Sequence, residues 1–271
     1  MLDENAEMQG KLERVYDEIV EVVAQIDDIL LQQTPQVEAD YQVKIGCYEQ
    51  ELLRAQIDAR RAKRKLQMAQ ADINRGIELA DARYEEELKE ELAAWNAALK
   101  QAMAAYDDAI ERRAGSHAMS ADDSDHMKRC YRKLAKRLHP DLHPELSEEE
   151  AKRFILAQKA YENGDLELLE SIEAATRHMD SKLDFEGLDA PALEAELIAA
   201  EAQLAAARAR LSQVEESYPY CMREKLADAD WVCETVANLR SQIAEQNEAC
   251  ATYVAAYERL LEEERGHERI A

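Results

Sequence analysis

The chain has 271 residues, of which 34% are charged and 6% aromatic, and its formal net charge is -24 at pH 7. This acidic excess disfavours nucleic acid and anionic membrane as partners of the whole protein, and no apolar run approaches the roughly eighteen residues of a membrane span. Only seven glycines and five prolines interrupt a sequence rich in helix-forming residues, so we predict an all-α protein.

The first predicted helix runs from about Asp3 to Leu31, with apolar residues three and four apart in a heptad seam. Thr34 and Pro35 suit the cap and the first position of another helix, so we predict a break there. Because so short a connection folds two helices into an antiparallel hairpin, residues 1–33 are expected to pack at the base of a stalk.

A second seam continues from about Gln36 to Arg113, through a run of apolar residues spaced by four that is typical of a stutter. We interpret it as one helix, about 115 Å long. A helix of that length cannot form one side of a compact core. It is therefore predicted to be the first arm of a coiled-coil stalk, residues 34–113.

Two short polar segments, Ala114–Ser120 and His178–Asp189, are interpreted as linkers on either side of a helical module, residues 121–178. A third seam, residues 190–265, is broken near Pro219 and is about as long as the second. The predicted architecture is a long antiparallel coiled-coil stalk, made of arms 34–113 and 190–265, with the module at its tip. A dimer of rods fits equally, so monomer and homodimer both stay open.

The module begins with a basic amphipathic helix that Pro140 ends, because the residue before a proline is pushed out of the helical region. The apolar residues that share one face of this helix are Met127, Tyr131, Leu134 and Leu138. The basic residues that fill the other faces, with no acid among them, are Lys128, Arg129, Arg132, Lys133, Lys136 and Arg137. In so acidic a chain, this island of positive charge indicates a binding role.

Together with His139, Pro140 and Asp141, this helix resembles the second helix and loop of a DnaJ-type J-domain. Phe154 and the pair Ala160-Tyr161 stand where that family's third helix carries the same residues. The resemblance covers about residues 125–165.

A J-domain normally opens with a helix carrying a Tyr-x-x-Leu-Gly pattern, which residues 114–125 lack. We expect either the end of the stalk near Tyr106 and Ile110 or the C-terminal arm to take its place. The Gly/Phe-rich region and zinc repeats of a full DnaJ are also absent from the sequence, so a client or adaptor is expected to bind the stalk.

The resemblance implies a cochaperone that docks on a DnaK-type chaperone and stimulates its ATPase. His139, Pro140 and Asp141 would act as the trigger, exposed at a turn, and the six basic residues would meet an acidic surface of the ATPase domain. Such charge pairing favours fast, salt-sensitive encounter. The alternative is a coiled-coil tether with an inactive J-like hairpin, and a weaker one is a basic helix that contacts nucleic acid.

No phosphate-binding loop, nucleophile elbow or carboxylate dyad is found, so neither an enzyme nor a bound cofactor is expected. His126, His139 and His143 could suggest a metal site, but His139 and His143 are each followed by a proline and so do not share a helix face. No cysteine or carboxylate pattern accompanies them, so no metal site is expected either. Five scattered cysteines without a Cys-x-x-Cys pair favour reduced thiols in a cytoplasm over a disulfide framework.

Overall fold

The structure is a computed structural model that describes residues 2–115, 119–179 and 188–268. Two parts of the predicted linkers, residues 116–118 and 180–187, lie outside the described residues. All secondary structure in the described part of the chain is helical, which confirms the all-α class. The α-helices are α1 (Leu2–Asp28), α2 (Thr34–Tyr41), α3 (Cys47–Arg75), α4 (Asp81–Glu91), α5 (Ala93–Gly115), α6 (Ala121–Leu138), α7 (Glu148–Glu162), α8 (Leu166–Thr176), α9 (Ala190–Glu216), α10 (Arg223–Ala227) and α11 (Ala229–Glu268).

Helices α1, α2 and α3 follow one another through two π-helical turns, Ile29–Gln33 and Gln42–Gly46. The predicted break and hairpin at Thr34-Pro35 are therefore wrong, and Thr34 has helical backbone angles, φ -57° and ψ -47°. In a regular α-helix the ring of Pro35 would clash with the carbonyl four residues earlier. The π turn just before it, with its longer hydrogen-bonded repeat, accommodates the ring.

The chain folds as two compact units. The first unit consists of Met1–Glu38 and Ser116–Arg223, and the second of Ala39–Gly115 and Glu224–Ala271. In the described ranges, none of the helices combines the length and the apolar character that crossing a bilayer requires.

In the second unit, α3 ends at Gly76, whose φ of +67° is left-handed. The backbone N–H groups of Gly76 and Ile77 donate to the carbonyls of Ile73 and Asp72 at 3.0 and 2.9 Å, which closes the helix end. Our prediction of one helix from Gln36 to Arg113 is therefore wrong. The seam counted Gly76 only as a small residue, whereas its freedom at positive φ is what allows the chain to turn.

After this turn, α4 and α5 run back along α3. The contacts that fix the direction are the ion pair Lys65–Glu85, the Arg60 guanidinium over the Trp95 ring and the hydrogen bond from Gln50 to the carbonyl of Ala102. Residue numbers fall along α3 as they rise along α4 and α5, so the return is antiparallel. A hydrogen bond of 2.6 Å from the Tyr84 hydroxyl to the buried Asp72 carboxylate also ties α4 to α3.

Helix α11 lies parallel to α3, not antiparallel as predicted. The contacts are Arg240 with Tyr48, Lys63 with the Tyr253 ring and Lys65 with the Tyr257 ring, and residue numbers rise together along both helices. The heptad seams of the two arms were correctly seen as packing faces. Their direction was wrong because α4 and α5 already provide the antiparallel partner of α3.

In the first unit, α1 and α9 also run parallel. Tyr16 donates to Glu196 at 2.8 Å, and Arg208 pairs with Glu18 at 2.7 Å. Their shared apolar core consists of Leu12, Ile19, Val23, Leu193, Ala200 and Leu204. Helix α1 also packs against α6, so the prediction that the first helix joins only at the far end of the stalk, away from the module, is wrong.

The module in this unit is a bundle of α6, α7 and α8. Its core contains the predicted apolar face of α6 and, from α7, Phe154, Ala157 and Tyr161. Helix α7 begins with a capping box, in which Ser147 accepts from the backbone N–H of Glu150 while the Glu150 carboxylate accepts from that of Ser147. Helix α7 ends before Gly164, which has a left-handed φ of +69°.

Candidate functional site

The candidate site is the basic helix α6 and the loop that follows it. Ser120 caps the start of α6 by accepting from the backbone N–H of Asp123 at 3.1 Å. At the other end His139 has left the helical region, with φ -71° and ψ 127°, as its position before Pro140 requires. The chain then turns tightly, because the carbonyl of His139 accepts from the backbone N–H groups of Leu142 and His143 at 3.0 and 2.9 Å.

His139 is buried in this turn, with 5% of its surface exposed. Its Nδ1 accepts from the backbone N–H of Asp141 at 3.0 Å, and its ring packs edge-on against Phe154 at a centroid distance of 5.0 Å. Its Nε2 lies 3.8 Å from a carboxylate oxygen of Asp27 in α1. We expected His139 to be exposed at the turn, and this is wrong because α1 and α7 close over it.

Burial lowers the pKa of His139, against the opposing effect of the Asp27 and Asp141 carboxylates. Nδ1 is occupied as an acceptor, so the neutral ring carries its proton on Nε2, which faces Asp27. Burial likewise raises the pKa of Asp27, although the hydrogen bond from Tyr131 acts in the opposite direction. The two groups therefore both tend towards their neutral forms.

Pro140 and Asp141 are exposed, as predicted. Asp141 is nevertheless engaged by α9, since its carboxylate pairs with Arg210 at 3.0 Å and its backbone carbonyl accepts from the side chain of Gln203. The three residues of the tripeptide thus differ in availability. Of the three, Pro140 is the exposed residue whose side chain forms no ion pair or hydrogen bond, because a proline ring has no polar atom to offer.

Three of the six predicted basic residues form ion pairs with acids of α1. The pairs are Lys128–Asp28 at 3.2 Å, Arg132–Glu21 at 3.1 Å and Lys136–Asp17 at 2.5 Å. Their cationic side chains keep between 43% and 49% of their surface exposed. Half of the basic residues that we predicted as a docking surface are thus paired with carboxylates of the same chain.

The remaining three basic residues have different surroundings. Arg137 is buried and bonds the carbonyl of Glu173 at 3.1 Å and the hydroxyl of Thr176 at 3.4 Å, so it ties α6 to α8. Lys133 is exposed and lies 3.7 Å from the Glu173 carboxylate. Arg129 is exposed and forms no ion pair with any residue in the described ranges. The structure therefore does not bring Arg137 to the surface with the other five.

Sequence reasoning missed two acids, Asp27 and Asp28, that bond the tyrosines of the module. The Tyr131 hydroxyl donates to Asp27 and the Tyr161 hydroxyl to Asp28, each at 2.6 Å. Asp27 is 6% exposed and Asp28 is largely buried. Nothing in the spacing marked them, because Asp27 and Asp28 stand between the seam residues Ile26 and Ile29, at positions that a heptad leaves polar.

The segment that lies against α6 from outside the module is α1, together with Leu31 just after it. Neither of the two segments that we considered for the missing first J-domain helix was α1. Tyr106 and Ile110 belong to the second unit, and α9 of the C-terminal arm reaches the loop at Asp141 while its apolar face packs on α1.

The sequence model of the DnaJ domain family matches residues 118–163. This match spans α6, the His139–Asp141 loop and α7, so this part of the chain is a J-domain segment. It leaves α1, α9 and the second unit unmatched. No curated protein and no solved structure matches the chain.

Proposed function

We propose that the protein is a J-domain cochaperone that docks on a DnaK-type chaperone and stimulates its ATPase. The observation that carries this proposal is a basic helix ending in His139, Pro140 and Asp141, on the core of a matched J-domain segment. In this role the residues bind the partner and carry out no chemistry themselves.

The partner surface would be acidic. Arg129, Arg132, Lys133 and Lys136 keep exposed side chains on one helix, and a set of like charges of this kind steers association with carboxylates and loses strength as salt is added. DNA or RNA is a weaker candidate, because the rest of the chain is strongly acidic, with a formal net charge of -24 for the whole. We propose neither nucleic acid nor membrane as a partner.

The second unit would hold a client or an adaptor, and the protein would act as a monomer or as a homodimer. We also propose a cytoplasmic location, which the scattered spacing of the five cysteines in the sequence favours. A second candidate function is a tether whose J-domain segment is inactive. The observation that favours it is the burial of His139 and the pairing of Asp141 with Arg210.

The two functions are separated by the ATPase rate of a DnaK-type chaperone measured with increasing amounts of the full chain. The cochaperone predicts stimulation that His139→Gln abolishes. His126→Gln is the matched control, because His126 lies on the same helix, is partly exposed and bonds Glu170 at 2.7 Å. Since His139 is buried, circular dichroism must show that the variant keeps its helix content. If neither the parent protein nor any variant of it stimulates over a wide concentration range, the tether is favoured.

A further inference from the structure

We propose that α1 and α9 form an intramolecular cover over the docking face of the J-domain segment, so that the chaperone must displace α1 from α6 before it can bind. This inference rests on the proposed function and concerns the regulation of that same site. The cover is made of the carboxylates of α1 that face α6 and of Arg210 and Gln203 of α9, which hold the loop.

The acids of α1 are placed in register with the basic face. Asp17, Glu21 and Asp28 are spaced by four and seven residues, so they share one face of α1. Their partners, Lys136, Arg132 and Lys128, are spaced by four along α6. Residue numbers rise along α1 as they fall along α6, so the two faces are matched as antiparallel stripes of opposite charge. An acidic surface on a chaperone would need the same cations.

The cover also reaches the trigger. His139 has only 5% of its surface exposed and faces Asp27, so its ring cannot meet a partner while α1 stays in place. The carboxylate of Asp141 is held by Arg210. Both polar residues of the tripeptide are therefore engaged by helices that lie outside the matched segment.

The contact between α1 and α6 is of a kind that can open. It consists largely of half-exposed ion pairs, which contribute little each because water and salt compete with them, and of hydrogen bonds from Tyr131 and Tyr161 to carboxylates. The contact between α1 and α9, in contrast, is an apolar core that includes Leu12 and Leu193, both fully buried. We therefore expect the separation of α1 from α6 to cost less free energy than the separation of α1 from α9. A partner surface with several carboxylates could then take the place of α1 on α6.

A purely structural role for α1 predicts the opposite behaviour. If α1 only substitutes for the missing first J-domain helix, then weakening its contact with α6 should loosen the module and lower the stimulation. If α1 is a cover, the same change should expose the basic face and raise the stimulation. The sign of the effect decides between the two roles.

The test is the double variant Asp17→Asn with Glu21→Gln in the full chain, measured by stimulation of the chaperone ATPase. Both acids are more than half exposed, so the loss of folding stability should be small. We expect the concentration that gives half-maximal stimulation to fall about two- to fivefold. Adding His139→Gln to the double variant should abolish the stimulation.

The matched control is Glu7→Gln with Glu13→Gln, which removes the same charge from the same helix. Glu7 pairs with Lys11 of α1, and neither acid forms an ion pair with α6 among the described residues. The control should behave as the parent does, which separates a local effect from a change in net charge.

The outcomes distinguish the cover from the proposed function. If the parent stimulates and the double variant stimulates equally or less well, the cover is refuted and the cochaperone stands. If neither stimulates at any concentration, the proposed function fails and the cover fails with it. If the parent is silent and the double variant stimulates in a way that requires His139, both hold.

Discussion

Replacing Tyr131 with Phe tests the buried contact between α1 and the J-domain segment. The change removes the hydroxyl that donates to Asp27 at 2.6 Å and keeps the ring in the core. Asp27 is 6% exposed, and His139 Nε2, at 3.8 Å, is too distant for a hydrogen bond. A hydrogen bond to a charged group contributes about 1.5–3 kcal/mol. Because the buried Asp27 carboxylate would lose its donor, the first unit should lose stability of this order.

Tyr161→Phe is the matched control. Its hydroxyl donates to Asp28 at the same distance, but Asp28 keeps Gln33 Nε2 at 2.8 Å and Lys128 Nζ at 3.2 Å as further donors. Loss of the Tyr161 hydroxyl should therefore destabilise the first unit less than loss of the Tyr131 hydroxyl, by about 0.5–1.5 kcal/mol. Tyr131→Phe should have the larger effect although both substitutions remove one oxygen.

The assay is amide hydrogen exchange read on peptides from α6 and α7. Both tryptophans, Trp95 and Trp231, lie in the second unit, so intrinsic fluorescence does not report on the first. We expect exchange in these peptides to be about 10- to 100-fold faster in Tyr131→Phe and clearly less so in Tyr161→Phe. Equal effects of the two substitutions, or a larger effect of Tyr161→Phe, would refute the assignment of Asp27 as the acid with a single donor.

Two further predictions concern pH and the turn of the second unit. Because burial lowers the pKa of His139 in the folded state, His139 of the unfolded chain takes up a proton at a higher pH. The free energy of unfolding should therefore fall as pH drops from about 6.5 towards the lower pKa of the folded state. His139→Gln should flatten this slope in urea titrations followed by circular dichroism, and an unchanged slope would contradict the assignment. Gly76→Ala should destabilise the second unit by about 1 kcal/mol, measured by tryptophan fluorescence, because a side chain there would meet no neighbour but would have to adopt a φ of +67°. The control is Gly10→Ala inside α1, an equally open position with helical backbone, which should stabilise the first unit instead, as measured by circular dichroism.

The sequence predicted the local structure of the module well. The buried stripe of α6 and the end of that helix before Pro140 were predictable, because each depends on residues within one or two turns of the chain. The heptad seams likewise identified which faces of α1, α3, α9 and α11 pack. All of these features follow from spacing alone.

The pairing of helices was not predictable in the same way. A heptad seam shows which face is buried but carries no direction, so parallel and antiparallel partners give the same pattern. The direction was decided by Gly76, where one residue with a left-handed backbone returns the chain along α3. The seam through that residue continued without a gap and concealed the turn.

The electrostatic surroundings of the site also depend on which helices pack together, so they were not predictable from the sequence either. The six cations of α6 were visible in the sequence, and so were the acids of α1, but nothing in their spacing said that they would face one another. Asp27 and Asp28 stand at heptad positions where acids are ordinary, and only the packing of α6 on α1 buries them so that they need donors. Those donors came from Tyr131 and Tyr161, about a hundred residues and more away in the chain.

The cover has a consequence for how binding strength is set. Acids tethered in the same chain compete at a high effective concentration, so the apparent affinity of the chaperone is its intrinsic affinity multiplied by the fraction of chains in which α1 has left α6. Salt weakens the pairs of Arg132 and Lys136 with α1 and also the pairs that would replace them, so the two effects oppose one another. Docking then becomes an exchange of one set of carboxylates for another. The strength of the contact between α1 and α6 therefore sets the apparent affinity. Within that contact, the buried hydrogen bond from Tyr131 to Asp27 is the part that salt does not weaken.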